Sequence, residues 1–99
     1  MLDKLHLETF SEHLNSKFSV RREPSADAVE LQLIEAESTG TVPGYEQFSL
    51  IFSGPLNSFL EQAIYSFEHD GIGTFEMFIV PIRRDENGFK YQAIINRPL

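Results

Sequence analysis

The 99 residues include no cysteine and no tryptophan. Without cysteine there is no disulfide, no thiolate nucleophile and no Cys-ligated zinc site, so the fold has to stand on burial alone. Positive charge is scarce as well. Eight Lys and Arg stand against fifteen Asp and Glu, for a net charge of −7. That balance opposes the counterion release that draws proteins to phosphate backbones, so no nucleic-acid partner is expected. No apolar run approaches the ~20 residues of a membrane-spanning helix, and the opening Met1-Leu2-Asp3-Lys4 does not begin a signal peptide. The expectation is a soluble cytoplasmic protein with no membrane partner.

What is present is aromatic. Nine Phe and three Tyr stand within a 41% apolar composition, so rings do much of the packing. The length suits one domain, residues 1–99, with a single core.

The clearest pattern runs from Tyr45 to Ile82. Phe48, Leu50 and Phe52 recur every second residue, the period of a strand with one face in a core. Gly54-Pro55 stops that strand. Residues 63–69 form a second candidate, with Tyr65 and Phe67 on one side. The turn Asp70-Gly71-Ile72-Gly73 then reverses the chain into an antiparallel partner over 74–80. Pro81 places the end of that partner at an edge or a bulge, and Arg83-Arg84 are expected where it leaves the sheet. Asp85-Glu86-Asn87-Gly88 is a strong turn, after which Phe89, Tyr91, Ala93 and Ile95 alternate as the last strand.

Upstream, Thr9-Phe10-Ser11-Glu12 has capping-box spacing and predicts a short helix over 10–14, with Asn15 as a left-handed terminator. Phe18 and Val20 mark the first strand, ended by a turn over 24–27 that begins at Pro24. Val29, Leu31 and Leu33 mark the second strand, with a bulge or a stretch covered on both faces at Ile34 and Ala36 and pairing to about Ser38. Residues 39–44 read as a loop and a candidate functional segment. Pro55 and the apolar spacing after it predict a second short helix over 56–61. The fold class is therefore mainly β: about six antiparallel strands in a small barrel or strongly curved sheet, with one or two short helices.

Pro43-Gly44-Tyr45-Glu46-Gln47-Phe48-Ser49-Leu50-Ile51-Phe52-Ser53-Gly54-Pro55 resembles a recurrent segment of a family of small bacterial proteins known only as a domain of unknown function. Tyr65-Ser66-Phe67-Glu68-His69, Phe78-Ile79-Val80-Pro81 and Tyr91-Gln92-Ala93-Ile94-Ile95-Asn96 resemble further segments of it, in the same order, and Leu7-Glu8-Thr9-Phe10 fits the same pattern. The resemblance spans nearly the whole chain. It implies a stand-alone bacterial domain with no catalytic residue to carry over, and an assembly role near phage-tail-like fibre proteins.

Among residues with chemical potential, Glu68-His69-Asp70 is the most reactive-looking cluster, since a carboxylate beside an imidazole fixes its tautomer and raises its pKa. Strand alternation, however, sends Glu68 and His69 to opposite faces, and no nucleophile motif accompanies them. His6 and His13 show no metal-ligand spacing and read as surface residues flanking the helix. Glu30, Glu35, Glu37 and Glu46, with Tyr45 beside them, mark an acidic face able to receive a partner; the plain alternative is a solvated, aggregation-resistant sheet face. Arg83 and Arg84 are expected to pair locally with Asp85 and Glu86. Gly71-Ile72-Gly73 lacks the third glycine and the following helix of a nucleotide fingerprint.

No catalytic, metal or cofactor residue is assigned, and no cofactor is expected. The leading functional expectation is a non-catalytic module binding a protein partner. A small-ligand barrel or minor hydrolase with an aromatic pocket and Glu68 or His69 at its mouth is the second. A homo-oligomeric structural subunit, marked by a continuous exposed apolar patch, is the third.

Overall fold

The computed structural model describes residues 6–23 and 25–98, and in it the period-two apolar residues become the inner face of a closed ring of six antiparallel strands. A short helix α1 (Leu7–Glu12) precedes β1 (Lys17–Arg21), β2 (Val29–Val42), β3 (Tyr45–Gly54), β4 (Ala63–His69), β5 (Gly73–Asp85) and β6 (Gly88–Pro98). Neighbours around the ring run β1-β2-β3-β6-β5-β4, and β4 closes on β1 through Ser19↔Glu68, Val20↔Phe67 and Arg21↔Ser66. The expected class and strand number hold.

Alternation decides what fills the ring. Phe18 and Val20, Leu31 and Leu33, Phe48, Leu50 and Phe52, Tyr65 and Phe67, Met77 and Ile79, and Tyr91 and Ala93 all point inward and are buried. Each fully buried large side chain contributes about 1.5–3 kcal/mol from removal of its surface from water. Phe10 of α1 enters from one end and meets Phe18, Phe48 and Phe75 at centroid distances of 6.4, 6.0 and 5.8 Å.

The helix begins earlier than the capping box predicts. His6 is its N-cap and makes no side-chain cap bond, while Thr9 lies inside the helix. Tertiary contacts set the start. Phe10 must reach the core, and His6 Nδ1 lies 3.2 Å from the Glu46 carboxylate on β3. Asn15 does adopt the left-handed conformation, φ 72°, and its N–H donates to the Leu33 carbonyl at 2.7 Å, turning the chain into β1.

Residues 39–42 are strand and not loop. Gly40↔Gln47, Thr41↔Glu46 and Val42↔Tyr45 continue the β2–β3 ladder to a two-residue turn at Pro43-Gly44, where Gly44 has φ 85°. Pairing overrides the weak strand propensity, because β3 is itself held on its other edge by β6 as far as Tyr45↔Pro98. The bulge near Ile34 is present, as a register shift between Leu33 and Glu35, and a second lies between Ser38 and Gly40.

Residues 56–61 form no helix. A turn at Leu56-Asn57 leads into irregular chain held by two tyrosines: the Tyr91 hydroxyl accepts from the Leu60 N–H at 3.0 Å, and the Tyr65 hydroxyl donates to the Glu61 carbonyl at 2.7 Å. Phe59 packs on Phe89, centroids 5.0 Å apart. Side chains from the ring thus satisfy backbone groups that a helix would have paired internally.

Pro81 sits at a bulge, with a register shift between Pro81 and Arg83. Arg83 and Arg84 do not leave the sheet there. They pair with Lys90 and Phe89, and the strand ends at Asp85. The Glu86-Asn87 turn closes on Gly88 at φ 143°, and a Cβ on that residue would fall on the Gly54 carbonyl oxygen. Of the expected 24–27 turn, Pro24 lies outside the described residues, as do residues 1–5; beside it the Arg21 guanidinium donates to the Ala26 carbonyl at 2.9 Å.

Candidate functional site

Residue 69 lies at an inward position of β4, where alternation calls for an apolar side chain, and it is a histidine with only 9% of its surface exposed. Its ring packs on Phe18, centroids 4.4 Å apart, and edge-on against His13, 4.6 Å apart. His13 is therefore not the plain surface residue that its place after the helix suggests. The β4–β5 turn folds back over the ring, so that the N–H groups of Gly71 and Ile72 both donate to His69 Nδ1, at 2.9 and 3.3 Å. Ser16 Oγ lies 2.9 Å from Nε2 on the other side, and its hydroxyl donates to the His13 carbonyl.

These contacts fix the protonation state. Two backbone donors require an unprotonated Nδ1, so the neutral ring carries its proton on Nε2 and donates it to Ser16 Oγ. Burial is the main cause that lowers the His69 pKa, and His13 adds to it, while Asp70 opposes.

A serine beside a histidine invites a nucleophile–base reading, but the bonding runs the wrong way for it. A general base must accept the serine proton at Nε2 and donate from Nδ1 to an orienting group. Here Nε2 donates, Nδ1 accepts, and the Ser16 proton is committed to a carbonyl. The arrangement knits together α1, β1 and the β4–β5 turn.

A groove of about 470 Å³ opens beside the histidine, lined by Ser16, Lys17, Ser19, Glu30, Glu68, His69 and Asp70. Glu68 is exposed on the outer face and His69 faces inward, so alternation separates them as the sequence requires. Among the described residues no group of three His, Asp or Glu is placed to hold a metal ion. The ring interior, where an aromatic ligand pocket would lie, is filled by Phe18, Phe48, Phe52, Phe67 and Tyr91.

The acidic residues do not share one face. Glu35 and Glu37 stand together on the outer side of β2, opposite Ile51 and Ser49. Glu30 lies before the bulge and its carboxylate is 3.5 Å from Lys17 Nζ. Glu46 belongs to the opposite side of the sheet, against His6, while Tyr45 is exposed at the hairpin tip. At the other hairpin, Asp85 pairs with Lys90 at 3.0 Å and not with the neighbouring arginines. That hydrogen bond, with one from the Asn87 N–H, lowers the Asp85 pKa.

The outer face of β4, β5 and β6 holds a feature that the sequence pattern does not single out. Ile64 and Phe78 are cross-strand partners there, 60% and 48% exposed, and Ile94 on β6 is 62% exposed. Ile82, at the β5 bulge, is 39% exposed. Alternation alone marks these positions as outward, but which of them gather needs the strand order.

A family model described as a domain of unknown function, DUF6916, matches residues 5–95. No curated protein and no solved structure matches the chain.

Proposed function

The chain belongs to the DUF6916 family, whose description assigns no activity, and we propose that it is a non-catalytic protein-binding module, an accessory of a larger bacterial, phage-tail-like assembly, acting in the cytoplasm. The observation that carries this reading is the exposed apolar row Ile64, Phe78 and Ile94 on adjoining strands of one outer face. Apolar side chains gathered in this way on a sheet face mark contact surfaces more often than solvent-facing ones. The Ser16–His69 pair supports the same reading, since Nδ1 accepts two backbone N–H groups and leaves Nε2 to donate to Ser16 Oγ. Glu35, Glu37 and Tyr45 lie on β2 and at the β2–β3 hairpin tip, away from β5 in the ring order, so the apolar row and not the acidic residues carries this reading.

The test is capture by the tagged full chain from a lysate of its source organism, with Phe78→Glu and a Glu35→Lys/Glu37→Lys variant in parallel. A stoichiometric partner retained by wild type and lost with Phe78→Glu, at unchanged melting temperature, is the expected result. Absence of any partner, heterologous or self, together with a small molecule that raises the melting temperature, would replace this reading with the ligand-binding one.

A further inference from the structure

Along β5 the outward residues run Glu76, Phe78, Val80 and Arg83, with the bulge at Ile82 keeping Arg83 on the outer side opposite Lys90. The order is acid, apolar, apolar, base. Reversed, it presents base, apolar, apolar, acid, which is the complement of itself.

From this self-complementarity we infer that the outer face of β4–β5–β6 binds a second copy of the same chain, in a two-fold dimer whose axis passes near Ile79. The inference rests on the protein-contact reading above and names the partner. A two-fold interface is isologous, so residue i of one protomer meets j of its partner, and j meets i. With the axis at Ile79, Phe78 of each copy packs on Val80 of the other, and Glu76 faces Arg83 twice. Ile64 extends the apolar centre from β4, and Ile94 from β6.

Three observations favour a copy over an unrelated partner. Glu76 makes no ion pair or hydrogen bond among the described residues, although it stands beside an apolar row that excludes water when covered. Arg83 makes no salt bridge or hydrogen bond among the described residues beyond its charge interaction with Asp85, whose carboxylate is already bonded to Lys90 and Asn87. The two charges are of opposite sign and lie on either side of the apolar pair, so a two-fold rotation sets each against the other with no further residue. A protein of net charge −7 gains little from approaching its own copy in general, so the contact must come from this local pattern.

The test is mass measurement by light scattering over a concentration series, using the full chain. Wild type is expected to move from monomer to dimer mass, and Phe78→Glu to stay monomeric at concentrations at least ten times higher. Glu76→Arg and Arg83→Glu each set like charges against one another in their own dimers, and each alone is expected to weaken association about tenfold. Mixed in equal amounts, the two variants restore opposite charges at both ends of the interface. At one end the introduced arginine meets the introduced glutamate, and at the other the native Arg83 of the first meets the native Glu76 of the second. The heterodimer is expected to recover the wild-type affinity, a readout which loss of folding in either variant cannot imitate.

Wild type remaining monomeric up to about 1 mM, or a dimer indifferent to all three substitutions, overturns the inference. A monomeric wild type that nonetheless captures a different protein through Phe78 overturns the self-pairing alone and leaves the protein-contact reading standing. Indifference of both capture and mass to Phe78→Glu removes both.

Discussion

At His69 the backbone decides the chemistry of a side chain. The N–H groups of Gly71 and Ile72 occupy Nδ1, and protonating that nitrogen would break both bonds and set a charge beside His13. Burial first, and His13 after it, with Asp70 opposing, hold the folded pKa below the ordinary value of 6.5. Between those two values the unfolded chain holds a proton here that the folded chain does not, so stability rises with pH across that window. The contribution is whole above pH 6.5 and is lost as pH falls through the lowered folded value. His69→Asn keeps an acceptor near the Nδ1 position but does not titrate. Urea unfolding at several pH values between 7 and 5 is expected to show a flatter pH slope for His69→Asn than for wild type; equal slopes would mean that His69 does not couple folding to protons.

Among the elements, the irregular segment between β3 and β4 has little backbone pairing of its own, a single bond from the Ser58 N–H to the Pro55 carbonyl. Its order depends on two hydroxyls from the ring, Tyr91 to the Leu60 N–H and Tyr65 to the Glu61 carbonyl. Tyr91 is fully buried, and burial is what raises its pKa. Tyr91→Phe keeps the ring in the core and removes only the acceptor, which is expected to cost about 1 kcal/mol. The local signature is sharper than the global one. Amide exchange at Leu60 should quicken about tenfold or less, with exchange in the middle of β3 following only the change in overall stability. Uniform acceleration throughout would show that the segment opens only with the whole ring.

The whole molecule is held by rings that reach across the closed sheet. Phe18 of β1 lies within 6.4 Å, centroid to centroid, of Phe10 on α1, Phe52 on β3, Phe67 on β4 and Phe75 on β5. Truncating it leaves a cavity that all these elements share, and large-to-small changes of this kind cost about 3–5 kcal/mol. Against a total stability of roughly 5–15 kcal/mol for a domain, Phe18→Ala is expected to remove a large share of the stability and lower the denaturant midpoint markedly. A loss under about 1 kcal/mol would show that neighbouring rings collapse into the space. The proposed self-association belongs to this scale also: a dimer would stabilise the fold by mass action, so the wild-type melting temperature is expected to rise with concentration.

The six strands, their inward residues, the turns at 70–73 and 85–88, the left-handed Asn15 and the bulge near Ile34 are all legible in the order of the residues. They follow from local rules: a side-chain period of two, and backbone angles open to few residue types. The same rules separate Glu68 from His69. Long-range contacts were needed to close the sheet, to start α1 at Leu7, to pair residues 39–42 as strand, and to tie down residues 56–61 with tyrosines in place of a helix. In each case groups far apart in the chain override a local preference. The candidate sites have the same origin. Ser16 meets His69 across 53 residues, and Phe78, paired with Ile64, shares an outer face with Ile94 only because β5 stands between β4 and β6. Periodicity states which way a side chain points; strand order alone states which side chains it stands beside.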